Sequence, residues 1–273
     1  MKILSWNVAN RFKKQKYQLD AVITRSPDVI GLQEITFRTL PLWVEGFHKS
    51  GYPHTISSFD LAKDISLLTG PRRYGLLIAS RYPLSSIDPQ IVEIPWKERL
   101  LSASIFSTNA VFEFHTAHIP PGISHKWLKI NTFNGIYQYL SNANNQNLRI
   151  LCGDFNSPQA ELKTGEVITW GQRIKQDNTI RYRRNRYTWD AGERSVIEGL
   201  AEHDLHDVFR LINGYEKECY SWVVIRKGMI KAKRRFDHIF ASMKLYPISC
   251  QYIHEFRENN LSDHSAIEAE FNV

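Results

Sequence analysis

Nine apolar, strand-like runs are spread along the 273 residues, and many neighbouring runs are joined by short links. Parallel neighbours need a crossover of a dozen or more residues, so many of these strands must pair in an antiparallel or mixed way. In the last run, apolar and polar residues alternate, which predicts a strand with one solvated face. The runs are 3–8, 28–33, 74–80, 101–106, 111–117, 148–152, 221–225, 236–241 and 265–272.

Helical patterns are fewer and lie between the strand runs. In 126–140, large apolar residues recur every three or four positions, which predicts an amphipathic helix. Segments 37–50 and 194–212 are weaker helix candidates, and another helical stretch ends at Ser26-Pro27. Two mixed, mostly antiparallel sheets with helices outside would bury these apolar faces. We therefore predict an α/β (α+β) fold forming one domain over 1–273, because the sequence contains no repeat, low-complexity tract or linker.

The sequence lacks the features of an exported or membrane protein. No window approaches the roughly 18 apolar residues that a membrane span needs. The first residues are typical of a strand, without the apolar region and cleavage site of a signal peptide. Cys152, Cys219 and Cys250 form neither a metal-spaced cluster nor an obvious disulfide framework. We predict a cytoplasmic protein without membrane contact, and no obligate protein partner is evident.

Positive charge is concentrated in two segments. Residues 172–186 carry six basic residues and one acid, and residues 226–235 carry six basic residues and no acid. The net charge is +7, so the rest of the chain is slightly acidic. Such clusters suit a polyanion, although solvated loops without a partner are the simpler alternative. Aromatic residues are interleaved with a basic insert around 172–190, and they either stack on bases or pack within the loop.

Polar residues that could take part in catalysis or bind a metal lie at the ends of the predicted strands. Each alone has an ordinary explanation, such as a helix cap, a turn residue or a surface charge. Together they are hard to explain that way, and they predict one site. They are Asn7, Glu34, His118, Asp154, Asn156, Asp237, Asp263 and His264.

These residue types suit metal-assisted hydrolysis of a phosphoester. Carboxylates of Glu34 and Asp263, with an asparagine amide, are the hard ligands that Mg²⁺ or Mn²⁺ prefers. Asp154 and His264 supply proton-handling groups near an attacking water. Asp237 is placed to fix the tautomer of His264. His118 and the metal would stabilise charge that develops on the phosphate.

The order of short motifs resembles the endonuclease/exonuclease/phosphatase superfamily over nearly the whole chain. The motifs are Trp6-Asn7, Gln33-Glu34, His118, Gly153-Asp154-Phe155-Asn156, Tyr220-Ser221-Trp222, Arg235-Phe236-Asp237 and Ser262-Asp263-His264. The resemblance implies a four-layer αββα sandwich with the site at one edge of two sheets. It also implies that Glu34 is the main metal ligand, helped by Asn7 and Asp263.

The resemblance also implies roles for the remaining site residues. Asp154 and Asn156 would position the attacking water and the phosphate, and His264, oriented by Asp237, would act as a base or stabilise the phosphate. Two departures stand out, because exonuclease III-type members tend to have an acidic residue where this chain has Ala9. They also often have an aromatic residue at the position of Arg234.

We expect a metal-dependent phosphodiesterase, most simply a nuclease on DNA or RNA. The alternatives are a phosphatase or phosphodiesterase for a small-molecule or lipid phosphate ester, and a catalytically inactive binding scaffold. Trp222 is predicted to wall the site, and basic residues of the two charged segments are predicted to bind the substrate. The predicted substrate-binding residues are Trp222, Arg183, Arg184, Arg186, Lys233 and Arg234.

Overall fold

A computed structural model describes residues 1–142, 147–177, 179–184 and 186–273. Residues 178 and 185 of the predicted basic insert lie outside the described residues. In chain order the strands are β1 (Lys2–Asn7), β2 (Val29–Ile35), β3 (His54–Ser57), β4 (Gly75–Ser80), β5 (Leu84–Ser86), β6 (Leu100–Phe106), β7 (Val111–His118), β8 (Leu148–Asp154), β9 (Ala160–Glu161), β10 (Val167–Ile168), β11 (Gln172–Ile174), β12 (Ile180–Tyr182), β13 (His206–Asp207), β14 (Trp222–Arg226), β15 (Met229–Arg234), β16 (Asp237–Ala241), β17 (Pro247–Ile253) and β18 (Ala266–Phe271).

Among the described residues the α-helices are fewer than the strands, and the longer ones pack on the outer faces of the two sheets. The helices are α1 (Gln15–Arg25), α2 (Leu40–Lys49), α3 (Gly122–His125), α4 (Trp127–Ser141), α5 (Tyr187–Ile197), α6 (Val208–Asn213) and α7 (His254–Glu258). Among the described residues, no helix is both long and apolar enough to cross a bilayer.

Two six-stranded sheets form the centre of the molecule. The first has the order β17-β18-β1-β2-β4-β3, and the second has the order β13-β16-β8-β7-β6-β5. In each sheet one central pair is parallel, β1 with β2 and β7 with β8, and the other pairs are antiparallel. The prediction of two mixed, mostly antiparallel sheets is therefore confirmed.

Three apolar clusters hold the layers together. One lies between the sheets and includes Ile3, Ile78, Phe114 and Ile150. The second joins the outer face of the first sheet to α1 and α2, and the third joins the second sheet to α4 and α5. Because each sheet is covered on both faces, the architecture is the four-layer αββα sandwich.

The prediction of a solvated face on the last strand is wrong for Glu268 but confirmed for Glu270, whose side chain is 45% exposed. Glu268 lies on that face but is only 3% exposed. Arg25 at the end of α1 covers it and donates to its carboxylate at 2.6 and 3.0 Å. The polar face of the alternating pattern is therefore covered by Arg25 at Glu268 and open to water at Glu270.

The predicted helix over 194–212 is also wrong as a single element. Helix α5 begins earlier, at Tyr187, and ends at Ile197. A short 3₁₀ turn, Gly199–His203, follows and ends at Asp204 in the left-handed region with φ of 57°. Asp207 then caps α6 by accepting from the backbone N–H of Arg210 at 3.1 Å. The helices over 37–50 and 126–140 are confirmed as α2 and α4.

Candidate active site

The strand ends meet at one edge of both sheets. Asn7 ends β1, Glu34 lies at the end of β2, and His118 and Asp154 end the parallel pair β7 and β8. Asp237 opens β16, and it is in register with Asp154 on the adjacent strand. Parallel strands bring their carboxyl ends to the same edge, and an antiparallel neighbour brings its first residue there. The topology therefore gathers five of the predicted site residues.

Asn7 joins the carboxylates of the two sheets. Its amide nitrogen donates to Glu34 Oε1 at 3.1 Å and to Asp154 Oδ2 at 2.9 Å. Its amide oxygen accepts from the backbone N–H of Ala9 at 2.9 Å. Asn7 is fully buried, so these contacts hold the two carboxylates at a fixed separation.

The last motif completes the site from the opposite end of the chain. His264 Nδ1 lies 2.8 Å from Asp237 Oδ2, and its Nε2 faces Asp154 Oδ2 at 3.8 Å. Ser262 Oγ donates to the carbonyl of Asn7 at 2.7 Å and accepts from the backbone N–H of His264 at 3.1 Å. The structure thus places the predicted His264–Asp237 contact directly beside Asp154.

The backbone at the site adopts conformations that side chains rarely favour. Glu34 has φ of 61° at a bulge between β2 and β4, and Asn156 has φ of 50°. Gly153 has φ of 137°, and a Cβ there would meet the carbonyl oxygen of Ala117. Such strain persists only where the surroundings fix it, and it is common at functional sites.

Buried negative charge dominates the electrostatics of the site. Burial raises the pKa of Glu34, whose side chain is 24% exposed, and raises the pKa of Asp154 to about 7. Burial would lower the pKa of His264, but Asp237 and Asp154 outweigh it and raise that pKa to about 10. Two carboxylates with raised pKa values, beside an open Asp263, form a set of oxygen donors that fits a hard divalent cation.

Asp154, Asp237 and His264 also bring three possible ligand atoms within 4.8 Å of one another. His264 Nδ1 is already hydrogen-bonded to Asp237, however, so this trio is better suited to handling protons than to holding a cation. The oxygen donors around Glu34 are the better fit to a metal ion.

Comparison with known proteins places this arrangement in a family. Residues 4–264 match the model of the Endonuclease/Exonuclease/phosphatase family. The chain belongs to this family. It is therefore a phosphoric-ester hydrolase of the endonuclease/exonuclease type, as the motif order predicts.

Individual relatives of this family resemble the whole chain. Exodeoxyribonuclease III of Haemophilus influenzae is 26% identical over 284 residues, covering 99% of this chain and all of that protein. An AP endonuclease from Archaeoglobus fulgidus has a TM-score of 0.70 at 21% identity, with full coverage of both chains. The 3' phosphatase NExo from Neisseria, solved with a product DNA hairpin, has a TM-score of 0.66 at 18% identity, again with full coverage.

The sequence did not point to Arg99, which contacts His118 in the site. Arg99 is buried, and its guanidinium lies 2.5 Å from Nδ1 of His118. Because arginine can only donate, Nδ1 must accept, and the ring proton is fixed on Nε2. Burial, followed by the charge of Arg99, holds the pKa of His118 well below its usual range. His118 is thus a neutral donor whose Nε2 lies 3.7 Å from Glu34 Oε1.

Replacing Arg99 with methionine is expected to lower kcat about 10–100-fold, the range seen when an outer partner of a functional histidine is lost. The physical reason is that nothing then fixes the proton of His118 on Nε2. Steady-state kinetics of Arg99→Met and His118→Gln, alone and combined, measure the effect. The double variant should be no slower than His118→Gln, whereas additive losses would contradict this role for Arg99.

A second missed group holds the loop that carries Asn156. Lys129 on α4 is fully buried, and its ammonium donates to the carbonyl of Asn156 at 2.9 Å. Trp170 Nε1 donates to the same carbonyl at 3.0 Å, and Glu193 pairs with Lys129 at 2.9 Å. Both lone pairs of that carbonyl are therefore engaged, which fixes the peptide next to the site. A lone lysine within an amphipathic helix gives no sequence signal for such a role.

Below the site, a buried ion network anchors the strand that carries Asp237. Arg235 donates to Glu161 at 2.5 and 2.8 Å and to Asp207 at 2.6 Å. Arg210 reaches the same Glu161 carboxylate at 2.5 Å. Burial alone would raise the pKa of Glu161, but Arg235 and Arg210 lower it to about 2. Arg235 of the predicted motif thus supports the site structurally.

Because the pKa of Glu161 is lower in the folded than in the unfolded chain, its contribution to stability is complete above its unfolded pKa of roughly 4.3. That contribution should disappear as the pH falls towards 2. Replacing Glu161 with glutamine should lower the unfolding free energy at pH 7 by about 3–5 kcal/mol, since Arg210 loses the carboxylate it pairs with and Arg235 keeps only its pairing with Asp207. It should also flatten the acid side of the stability profile. Urea denaturation at several pH values measures both effects, and equal acid sensitivity in the two proteins would contradict the assignment.

Two of the predicted substrate-binding residues, Trp222 and Arg234, lie against groups at the site. Trp222 Nε1 lies 3.3 Å from Asp263 Oδ2, and Arg234 lies over the ring of Trp170 at 5.7 Å. Lys233 instead pairs with Glu218 at 2.9 Å. Arg183, Arg184 and Arg186 follow the hairpin of β11 and β12. Of the predicted aromatic residues of the insert, Trp189 is buried, so its role includes loop packing.

Proposed function

We propose that this protein is a divalent-metal-dependent phosphodiesterase that cleaves DNA. The observation that carries the proposal is the joined array of Glu34, Asn7, Asp154, His264 and Asp237 at one sheet edge. The relatives support the choice of substrate, since they include an exodeoxyribonuclease, an AP endonuclease and a phosphatase solved with DNA. Unpaired basic residues near the site are consistent with a polyanion.

Mg²⁺ or Mn²⁺ is the proposed cofactor. Glu34 and Asp263 would hold it with their carboxylates, and the amide oxygen of Asn7 has a lone pair left beside its contact with Ala9. When bound, such an ion polarises a phosphoryl oxygen and neutralises developing negative charge.

The chain's own residues would share the remaining tasks. Asp154, whose pKa lies near 7, would accept a proton from the attacking water. Asn156 donates to the carbonyl of Ile119 at 2.9 Å, which orients its amide towards Asp154 and the phosphate. His264 as a cation and neutral His118 as an Nε2–H donor would stabilise the charge on the phosphate oxygens.

The surroundings of the site would select and hold the substrate. Trp222 would wall the site, and Arg183, Arg184, Arg186, Lys233 and Arg234 would contact phosphates. We further propose that 1–273 acts as one catalytic domain. The free thiols of Cys152, Cys219 and Cys250 are consistent with the reducing cytoplasm as its location.

A panel of substrates tests the function. The purified protein should hydrolyse DNA oligonucleotides in the presence of Mg²⁺ or Mn²⁺, and activity should stop on chelation by EDTA. His264→Ala, prepared identically, should lose activity by about 10²–10⁴-fold. Intact DNA alongside rapid hydrolysis of a small phosphate ester would contradict the proposal, as would full activity in His264→Ala.

A further inference from the structure

Three exposed aromatic side chains are linked by short distances, because Tyr187 lies next to Tyr182 and directly follows Arg186, whose guanidinium is 6.0 Å from the ring of Trp127. Trp127 opens α4, and Tyr187 opens α5 with its side chain 66% exposed. Tyr182 ends β12, and its ring centroid lies 4.6 Å from that of Tyr187. Exposed rings of this size leave apolar faces available for stacking.

Arginines flank these rings and lack acidic partners. The basic residues of the insert form no ion pair within the described part of the chain, and the nearby Asp177 instead accepts from Thr179. By contrast, Arg25, Arg72 and Arg235 each pair with a carboxylate. The unpaired set is Arg173, Lys175, Arg181, Arg183, Arg184 and Arg186. Cations without counter-charges suit an anionic ligand.

A short series of contacts connects the ring of Trp127 to the loop that carries Asn156. The ring of Trp127 lies 5.5 Å from that of buried Trp189, over which Arg186 stacks at 4.1 Å. Trp189 Nε1 donates to Glu193 at 2.7 Å, and Glu193 pairs with Lys129, which holds the carbonyl of Asn156. The exposed rings therefore lie on the same side of the molecule as the Asn156 loop.

We propose that Trp127, Tyr182, Tyr187, Arg184 and Arg186, here named the stacking surface, bind unpaired nucleotides next to the scissile phosphate. The inference rests on the proposed function and specifies its substrate as DNA with a single-stranded segment. Arginines alone would suit the backbone of a duplex equally well. The exposed rings favour a single strand over a duplex. The faces of bases are hidden within a duplex stack and are available for stacking only in unpaired strands.

Binding in an inactive background tests the stacking surface. In His264→Ala, fluorescence anisotropy would measure affinity for a single strand of about 12 nucleotides and for a duplex of equal length, at one salt concentration. Adding Trp127→Ala and Tyr187→Ala should weaken single-strand binding at least about tenfold, with the duplex affected less than about twofold. Both side chains are exposed, so little stability should be lost.

Matched variants separate stacking from other effects. Trp127→Phe with Tyr187→Phe should restore single-strand binding, because phenylalanine keeps a face for stacking. Tyr246→Ala is the control, since Tyr246 is 65% exposed but lies in the turn before β17, at the opposite end of the sheet. Arg184→Gln should weaken binding of both ligands and reduce its salt dependence.

Unchanged single-strand affinity in the double alanine variant would overturn the inference, as would equal losses on single strand and duplex. These results are distinguishable from failure of the proposed function. That failure would appear as the absence of metal-dependent DNA hydrolysis by the unmodified protein, whatever its preference between strands.

Discussion

Asp154→Asn is expected to lower kcat for DNA cleavage by about 10²–10⁴-fold, the usual contribution of a positioned general base. Asparagine keeps the size of the side chain but cannot take a proton from water. The change should appear in kcat rather than in KM, because Asp154 acts on the attacking water rather than on substrate binding. Single-turnover kinetics at saturating metal would measure it.

Asp204→Asn is a suitable control for that experiment. Asp204 also accepts a backbone N–H, from Met243 at 3.0 Å, but it lies beyond the far end of β16. It should retain full activity. If Asp154→Asn kept more than about a tenth of the normal rate while folded, a different group would have to be the base.

Glu34→Gln is expected to have the second large effect, on metal dependence. Loss of an outer partner of a metal ligand costs about 10–100-fold in metal affinity, and loss of a ligand should cost more. Half-maximal activity should therefore need at least about 100-fold more Mg²⁺. Glutamine can still accept from Asn7, so the fold should be retained.

Thermal unfolding provides a measurement that does not depend on activity. A ligand at 100 times its Kd stabilises the native state by about 2.7 kcal/mol, so added Mn²⁺ should raise the Tm of the normal protein. Glu34→Gln should show little increase, whereas Glu45→Gln should behave normally, because the Glu45 side chain on α2 is exposed. An equal increase in Glu34→Gln would mean that the ion binds elsewhere.

Much of the fold and the positions of the site residues could be predicted from the sequence. Strand runs and their polar ends follow from local patterns, and short links exclude a purely parallel sheet. This reasoning placed Asn7, Glu34 and Asp154 at strand ends, where the structure brings them together.

Partners of buried charges could not be predicted in the same way. Arg99, Lys129 and Glu193 occur in unremarkable segments, and their roles depend on residues 19 to 64 positions away that only the folded chain brings near. The alternating pattern of β18 predicted that Glu268 is exposed to solvent, and this was wrong for a related reason. A period of two reports which side chains share a face, but it cannot show that Arg25 of a distant helix covers Glu268.

The pairing of the chain's beginning with its end has a consequence for protein synthesis. β1 is made first, yet Trp6 Nε1 contacts the carbonyl of His264, and the strand that pairs with β1 begins at Ala266. At roughly 5–20 residues per second, a ribosome would need about 10–50 s to synthesise the chain between β1 and β18. Until then a nascent chain lacks Asp263 and His264, so its candidate active site is incomplete. Addition of β18 would then complete the pairing of β1 soon after the site residues Asp263 and His264 are made.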